Sequence, residues 1–216
     1  MSERNLRITE IFLSLQGEAL AAGLPTTFVR LTGCPLRCHY CDSAYAFHGG
    51  ERLSFDDILA QVEQNGARQV CVTGGEPLAQ PGCLTLLKEL CDLGYEVSLE
   101  TSGAMDVKAV DSRVSIVMDL KTPDSGELQR NMWSNIDRLG KHDQLKFVIC
   151  SKLDFDWCEL KVRELDLCEQ VAAVWVSPSF EQVDPADLAQ WVIDSKLNLR
   201  FQLQLHKLLW GDKPGV

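Results

Sequence analysis

The sequence predicts an α/β protein, an open or partial (β/α) barrel with mainly parallel strands. Three observations carry that expectation. Short apolar, β-branched runs alternate with helical stretches along the chain, the signature of repeated strand–helix–strand units. The chain has 216 residues, short of the about 250 usual for a closed eight-stranded barrel. The first two strand-like runs have no helix between them.

Strands are expected at 6–12 and 26–32. A helix follows over 54–64, where Ser54 with Asp57 three residues on resembles a capping box, and Ile58, Leu59 and Val62 make the apolar face. Strand 69–73 leads to a helix over 81–93, which opens on Pro81 and stops at Gly94. Leu84, Leu87 and Leu90 mark its buried stripe. Strands at 95–100 and 114–119 come next, then a short helix over 132–139 ending at Gly140. Strand 145–150, helix 154–167, strand 172–177, helix 185–197 and strand 199–205 complete the series. Most strand runs are apolar and β-branched, as expected for parallel strands covered by helices. No linker, repeat or low-complexity segment interrupts them, so residues 1–216 are read as one domain, with 207–216 a C-terminal tail near the active site.

Composition narrows the function classes. Hydrophobic residues make up 45% and charged residues 24%, enough for a core and ordinary for a water-soluble protein. No apolar run approaches the roughly twenty residues that span a bilayer. The formal net charge is −10 and there is no basic run, which argues against a nucleic-acid partner and fits an enzyme of small molecules. Nine cysteines without an apolar leader are expected in a reducing compartment, the cytoplasm.

Three of those cysteines stand close together, in Gly33-Cys34-Pro35-Leu36-Arg37-Cys38-His39-Tyr40-Cys41-Asp42-Ser43. Four-cysteine ligation completes an electron-transfer [4Fe–4S] cluster. Three thiolates leave one iron open, free to bind the amino and carboxylate groups of S-adenosylmethionine (SAM). Tyr40, directly before the last cysteine, matches that radical SAM pattern. A tetrahedral zinc site would need His39 as fourth ligand. His39 lies between two of the cysteines, a poor place from which to close a tetrahedron. An odd number of cysteines disfavours disulfides. Cys71, Cys83, Cys91, Cys150, Cys158 and Cys168 show no ligand spacing and are assigned to packing.

Ligands of parallel α/β sheets gather at the carboxyl ends of strands, and several predicted strands end in polar or glycine-rich clusters. Thr73-Gly74-Gly75-Glu76-Pro77 follows one; its glycines permit close backbone approach to a ligand, and Glu76 can accept from an ammonium group. Glu100-Thr101-Ser102-Gly103 and Asp119-Leu120-Lys121-Thr122-Pro123 follow others, with Lys121 a point charge for a carboxylate. Each of these also reads as an ordinary strand-to-helix turn. Near the N-terminus, Gln16 and Glu18 offer an amide and a carboxylate, and Glu18 can accept N–H donors of a guanine-like ring. Arg30 interrupts an apolar strand and needs an anionic partner, either a substrate carboxylate or an internal acid. In the last strand, alternation sets Gln202, Gln204 and His206 on one face.

In sum these residues resemble the 7-carboxy-7-deazaguanine synthases, radical SAM enzymes of the queuosine pathway. The likeness rests on Leu15-Gln16-Gly17-Glu18, Phe28–Cys34, Cys38–Ser43, Thr73–Pro77, Glu100–Gly103 and Gln204–Lys207, in that order, and runs from about residue 8 to 207. The cysteine and Gly-Gly-Glu-Pro motifs mark the superfamily; Leu-Gln-Gly-Glu with Arg30 and Cys-Asp-Ser marks the member. The resemblance implies a partial barrel of radical SAM type. It implies 6-carboxy-5,6,7,8-tetrahydropterin as substrate, hydrogen abstraction from C6 by a 5′-deoxyadenosyl radical, ring contraction and loss of ammonia. It implies cluster ligation by Cys34, Cys38 and Cys41. It places Leu15, Gln16, Gly17, Glu18, Arg30, Thr73 and His206 at the substrate. Tyr40, Gly74, Gly75, Glu76, Asp119, Leu120 and Lys121 would meet SAM, and Ser43 would ligate Mg2+. Many relatives have threonine at the Ser43 position and Ser-Pro-Lys where this chain has Asp119-Leu120-Lys121. An electron donor such as flavodoxin or ferredoxin, and a homodimer, are also implied. Two other readings stand beside this one: a small radical SAM activase acting on a partner protein, and a zinc-binding interaction module.

Overall fold

The computed structural model describes residues 4–211, 213 and 215. β1 (Asn5–Leu15) and β2 (Pro25–Leu31) form an antiparallel hairpin. β3 (Glu51–Ser54), a short strand the sequence reading missed, pairs antiparallel with the other edge of β1. From β2 onward every ladder is parallel: β4 (Gln69–Gly74), β5 (Glu96–Thr101), β6 (Ser115–Asp119), β7 (Gln144–Ile149), β8 (Ala173–Pro178) and β9 (Leu199–Phe201). The order β3-β1-β2-β4-β5-β6-β7-β8-β9 leaves β3 and β9 as unpaired ends, an open sheet and therefore a partial barrel.

Helices cover one face. α1 (Phe55–Asn65) and α2 (Gly82–Asp92) bury Phe55, Ile58, Val62, Leu86, Leu87 and Leu90 against Val29, Leu31, Val70, Val72, Val97 and Leu99. α3 (Lys152–Glu164), the single turn α4 (Leu167–Gln170) and α5 (Pro185–Ser195) do the same over β6–β9, with Phe155, Val162, Leu167 and Leu188 on Met118, Phe147, Ile149, Val174 and Val176. The Ser54 cap forms as expected: its Oγ accepts from Asp57 N at 3.1 Å and donates to Asp57 Oδ2 at 2.6 Å.

The strands are not uniformly apolar, and helices cover them on one face only. Arg30, Thr73, Glu100, Asp119, Lys146 and Ser177 alternate with the core residues named above and line a cavity on the face opposite the helices. The period of two sends every second side chain inward.

Two predicted elements differ. Residues 132–139 hold no α-helix; Trp133–Arg138 is a run of 3-10 turns. Asn135 sets that path, donating to Gly103 O at 3.2 Å and Met105 O at 2.8 Å and accepting from Val107 N at 3.2 Å. The last strand ends at Phe201, and α6 (Leu205–Trp210) follows. Strand alternation therefore does not place His206: it lies in the first turn of α6, where Leu205 N donates to Gly17 O at 3.0 Å.

Candidate active site

A cavity of about 810 Å³ opens within the curved sheet. Its floor is the β1–β2 loop. That loop is satisfied from strands on the far side of the sheet: Ala19 N donates to Gln202 Oε1 and Leu20 N to Gln144 Oε1, both at 2.9 Å. The loop thus bridges the gap between the hairpin and the β7–β9 side. Leu15, Gln16, Gly17 and Glu18 all face the cavity from it.

Glu18 pairs with Lys146 and accepts from Gln204 Nε2 at 2.7 Å. Burial alone would push its carboxyl up; the Lys146 charge and hydrogen bond and the Gln204 amide outweigh burial and hold it below the usual range. Glu100, bonded by Thr73 Oγ1 at 2.9 Å, goes the other way. Its burial and the nearby Glu18 charge raise it, against the pull of Lys146, Thr73 and Arg30. One buried ammonium therefore sits among carboxylates of opposite tendency. His206 lies so close over Gly17 that a Cβ there would come within 2.3 Å of its Nδ1. Burial lowers the His206 pKa, partly offset by Glu18 and Asp42.

The cysteine loop forms one wall, with Cys34, Cys38 and Cys41 all bordering the cavity. Burial pushes the Cys38 thiol up to about 11, against the attraction of Lys121, and raises Cys34 as well. A metal bound here would have to displace those protons, since it is the thiolate that ligates. Among the described residues no three His, Cys, Asp or Glu side chains converge on the point a single ion would occupy. His39 also borders the cavity, but its Nδ1 is engaged, 3.1 Å from Asp124 O, and its ring packs on Gly126. Three thiols bordering one cavity, with no fourth cysteine beside them, match the ligand count of a cluster with one open iron.

Thr73–Pro77 is tied to this wall. A Cβ on Gly74 would fall 2.2 Å from Leu31 O, and one on Gly75 2.3 Å from Gly33 O and 2.8 Å from Cys34 Cβ. These glycines are needed where β4 meets the root of the cysteine loop, and both still border the cavity. Glu76 does not. Fully buried, it accepts from Thr101 Oγ1 (3.0 Å), Ser102 N (2.7 Å), Ser102 Oγ (2.5 Å) and Leu78 N (3.0 Å). Its carboxylate, expected to meet an ammonium, binds the chain instead. Leu120 is likewise a core residue outside the cavity, since alternation turns it toward the helices.

Asp119 and Lys121 do border the cavity and pair at 3.0 Å through Asp119 Oδ2. Lys121 Nζ also lies 5.6 Å from the centre of the Tyr40 ring. Asp119 Oδ1 and the Tyr40 hydroxyl are buried without a hydrogen-bond partner among the described residues. Buried polar atoms of this kind are rare, and these two fit a polar ligand held beside the cysteine loop, as SAM would be. Ser43 Oγ donates to Asp42 Oδ1 at 3.1 Å, and Asp42 accepts from Gln204 Nε2 at 3.2 Å. The two oxygens suit a hard cation, which would draw its other ligands from substrate and water.

Lys146 goes unnamed in the sequence motifs, and Asp42, Glu100 and Gln204 stand in them without a substrate or SAM contact assigned. The signal that exposed Arg30, a cation inside an apolar strand, is also present in Leu145-Lys146-Phe147. Of the tail, Lys207, Gly211, Lys213 and Gly215 border the cavity.

Residues 28–138 match the family model of the radical SAM superfamily. The chain is 41% identical to a 7-carboxy-7-deazaguanine synthase of Koribacter versatilis, over 95% of this chain and 97% of that one. It is 40% identical to one of Chlorobaculum tepidum, over 100% and 99%. Its fold is similar to the crystal structure of QueE from Escherichia coli, with a TM-score of 0.77 and 24% identity, covering 94% of this chain and 95% of that one.

Proposed function

The chain belongs to the 7-carboxy-7-deazaguanine synthases of the radical SAM superfamily, and on that footing we infer how its cavity serves the reaction. The enzyme converts 6-carboxy-5,6,7,8-tetrahydropterin to 7-carboxy-7-deazaguanine with loss of ammonia, a step of queuosine biosynthesis. When bound, a [4Fe–4S] cluster and SAM supply the 5′-deoxyadenosyl radical that removes hydrogen from the pterin C6.

The observation that carries the site reading is the pair of functions within one cavity. The Cys34, Cys38 and Cys41 wall, with unpartnered Asp119 Oδ1 and Tyr40 OH beside it, is a seat for cluster and SAM. Below it, Gln16, Glu18, Arg30, Thr73 and His206 surround room for a flat heterocycle. In this reading Glu18, kept ionised by Lys146, accepts the ring N–H groups, and Arg30 holds the carboxylate. Ser43 ligates Mg2+ together with the substrate. Residues 1–216 act as one domain and the tail from Lys207 borders the substrate. A flavodoxin or ferredoxin donates the electron, and the enzyme is a cytoplasmic homodimer. Among the described residues no helix is long and apolar enough to cross a membrane.

Neither alternative has such support. An activase leaves the Arg30 and Glu18 floor without an occupant, and a zinc module requires His39, which faces Asp124. Substrate deuterated at C6 tests the inference. Turnover under reducing, anaerobic conditions should move deuterium into SAM or 5′-deoxyadenosine, read by mass spectrometry. Turnover with no deuterium transfer contradicts it.

A further inference from the structure

Arg30 is held from behind by a residue outside the cavity. Its Nε donates to Glu10 Oε1 at 2.7 Å, and the Tyr45 hydroxyl donates to the same oxygen, also at 2.7 Å. Glu10 does not line the cavity, whereas Arg30 and Tyr45 do. A guanidinium carries five N–H donors in one plane. Fixing the Nε edge sets the direction of the terminal nitrogens, and no other acceptor among the described residues is bonded to them. Aromatic rings bracket the group: its carbon lies 6.0 Å from the Phe12 ring centre and 5.8 Å from that of Tyr45, with Phe12 stacked on Phe28 at 5.0 Å.

The backbone is arranged for this contact. The β1–β2 register shifts between Ile8 and Glu10, so that Ile8 faces Leu31 but Glu10 faces Arg30. Without that bulge Thr9 would oppose Arg30. Bulges re-aim side chains in this way. Tyr45 comes from the 3-10 turn Ala44–Phe47, directly after Ser43. The chain Tyr45–Glu10–Arg30 thus runs from the end of the cysteine loop to the arginine on the neighbouring strand.

We propose that Glu10 and Tyr45 are positioning residues that set the selectivity of Arg30 for a carboxylated heterocycle. The proposal rests on the reading that Arg30 binds the substrate carboxylate. Glu10 accepts both donors and keeps the free edge of the guanidinium turned into the cavity. Tyr45 supplies the second bond that stops the Glu10 carboxylate from rotating.

The test compares binding of 6-carboxypterin and pterin to the reconstituted enzyme with SAM, followed by pterin fluorescence. The readout is the ratio of the two Kd values, which a general loss of structure would not move. Glu10→Gln should cut the preference for 6-carboxypterin about tenfold, and Tyr45→Phe about threefold, the range of a typical single hydrogen bond. Pterin binding should change less than about twofold, because pterin makes no use of the carboxylate contact. Arg30→Ala, as the reference, should abolish the preference. If it does so while Glu10→Gln and Tyr45→Phe keep the parent ratio, or weaken both ligands equally, the positioning role is wrong. If Arg30→Ala itself leaves the ratio intact, the reading on which the proposal stands is wrong.

Discussion

Lys146 is the residue on which the charge balance of the site turns. It is the cation paired with Glu18, and Asp119 and Glu100 also act on it, raising its pKa against burial. Lys146→Met would strand a buried carboxylate. Breaking such a pair costs about 3 kcal/mol, so the melting temperature should fall and substrate KM should rise; unchanged values in both would refute the role given to Lys146. His206 gives a pH signature. Its folded pKa is lowered, so the unfolded chain binds more protons once the pH drops below the ordinary imidazole value of about 6.5. Native stability should therefore be full at neutral pH and fall through that window on acidification. His206→Asn should flatten this part of the profile, measured as melting temperature against pH.

At the scale of elements, the cysteine loop depends on the strand beside it. Gly75→Ala would drive a methyl group onto the Gly33 carbonyl, a backbone atom with no flexible end to yield. Overpacking of this sort costs about 2 kcal/mol. The variant should lose stability in denaturant titration and retain less iron after reconstitution than the parent. Ser54→Ala should cost about 1 kcal/mol through the lost cap of α1 and leave iron content unchanged. Such local features were readable from the chain: Ser54 with Asp57, Gly94 after α2, and Asp184-Pro185 before α5 all lie at observed boundaries. What escaped depends on distant partners. Asn135 turns an apparent helix into 3-10 turns by bonding Gly103 and Met105. Gly17 O receives Leu205 N and helps start α6 where a strand was expected. β3 owes its existence to pairing with β1, which no periodicity within four residues reveals.

Across the whole molecule, one face of the sheet is sealed by helices and the other holds the chemistry. The division is written as alternation: Val29-Arg30-Leu31, Val72-Thr73, Leu99-Glu100, Met118-Asp119, Leu145-Lys146-Phe147 and Val176-Ser177 each put a polar side chain into the cavity between core residues. Motif reading found the strand ends and the Arg30 position but passed over Lys146, because its partner Glu18 lies in the distant β1–β2 loop. Glu76 differs in the opposite direction. A motif residue that looked free for a ligand is consumed in joining β4 to Thr101 and Ser102. In the proposed function a cysteine-held cluster and a pterin seat share this one cavity. The most direct test is an anaerobic assay with reconstituted enzyme, reductant, SAM and 6-carboxy-5,6,7,8-tetrahydropterin, with Cys38→Ala as control. The parent should give 7-carboxy-7-deazaguanine by mass spectrometry and the control none; no product from an iron-loaded parent, or equal product from Cys38→Ala, would refute the shared cavity.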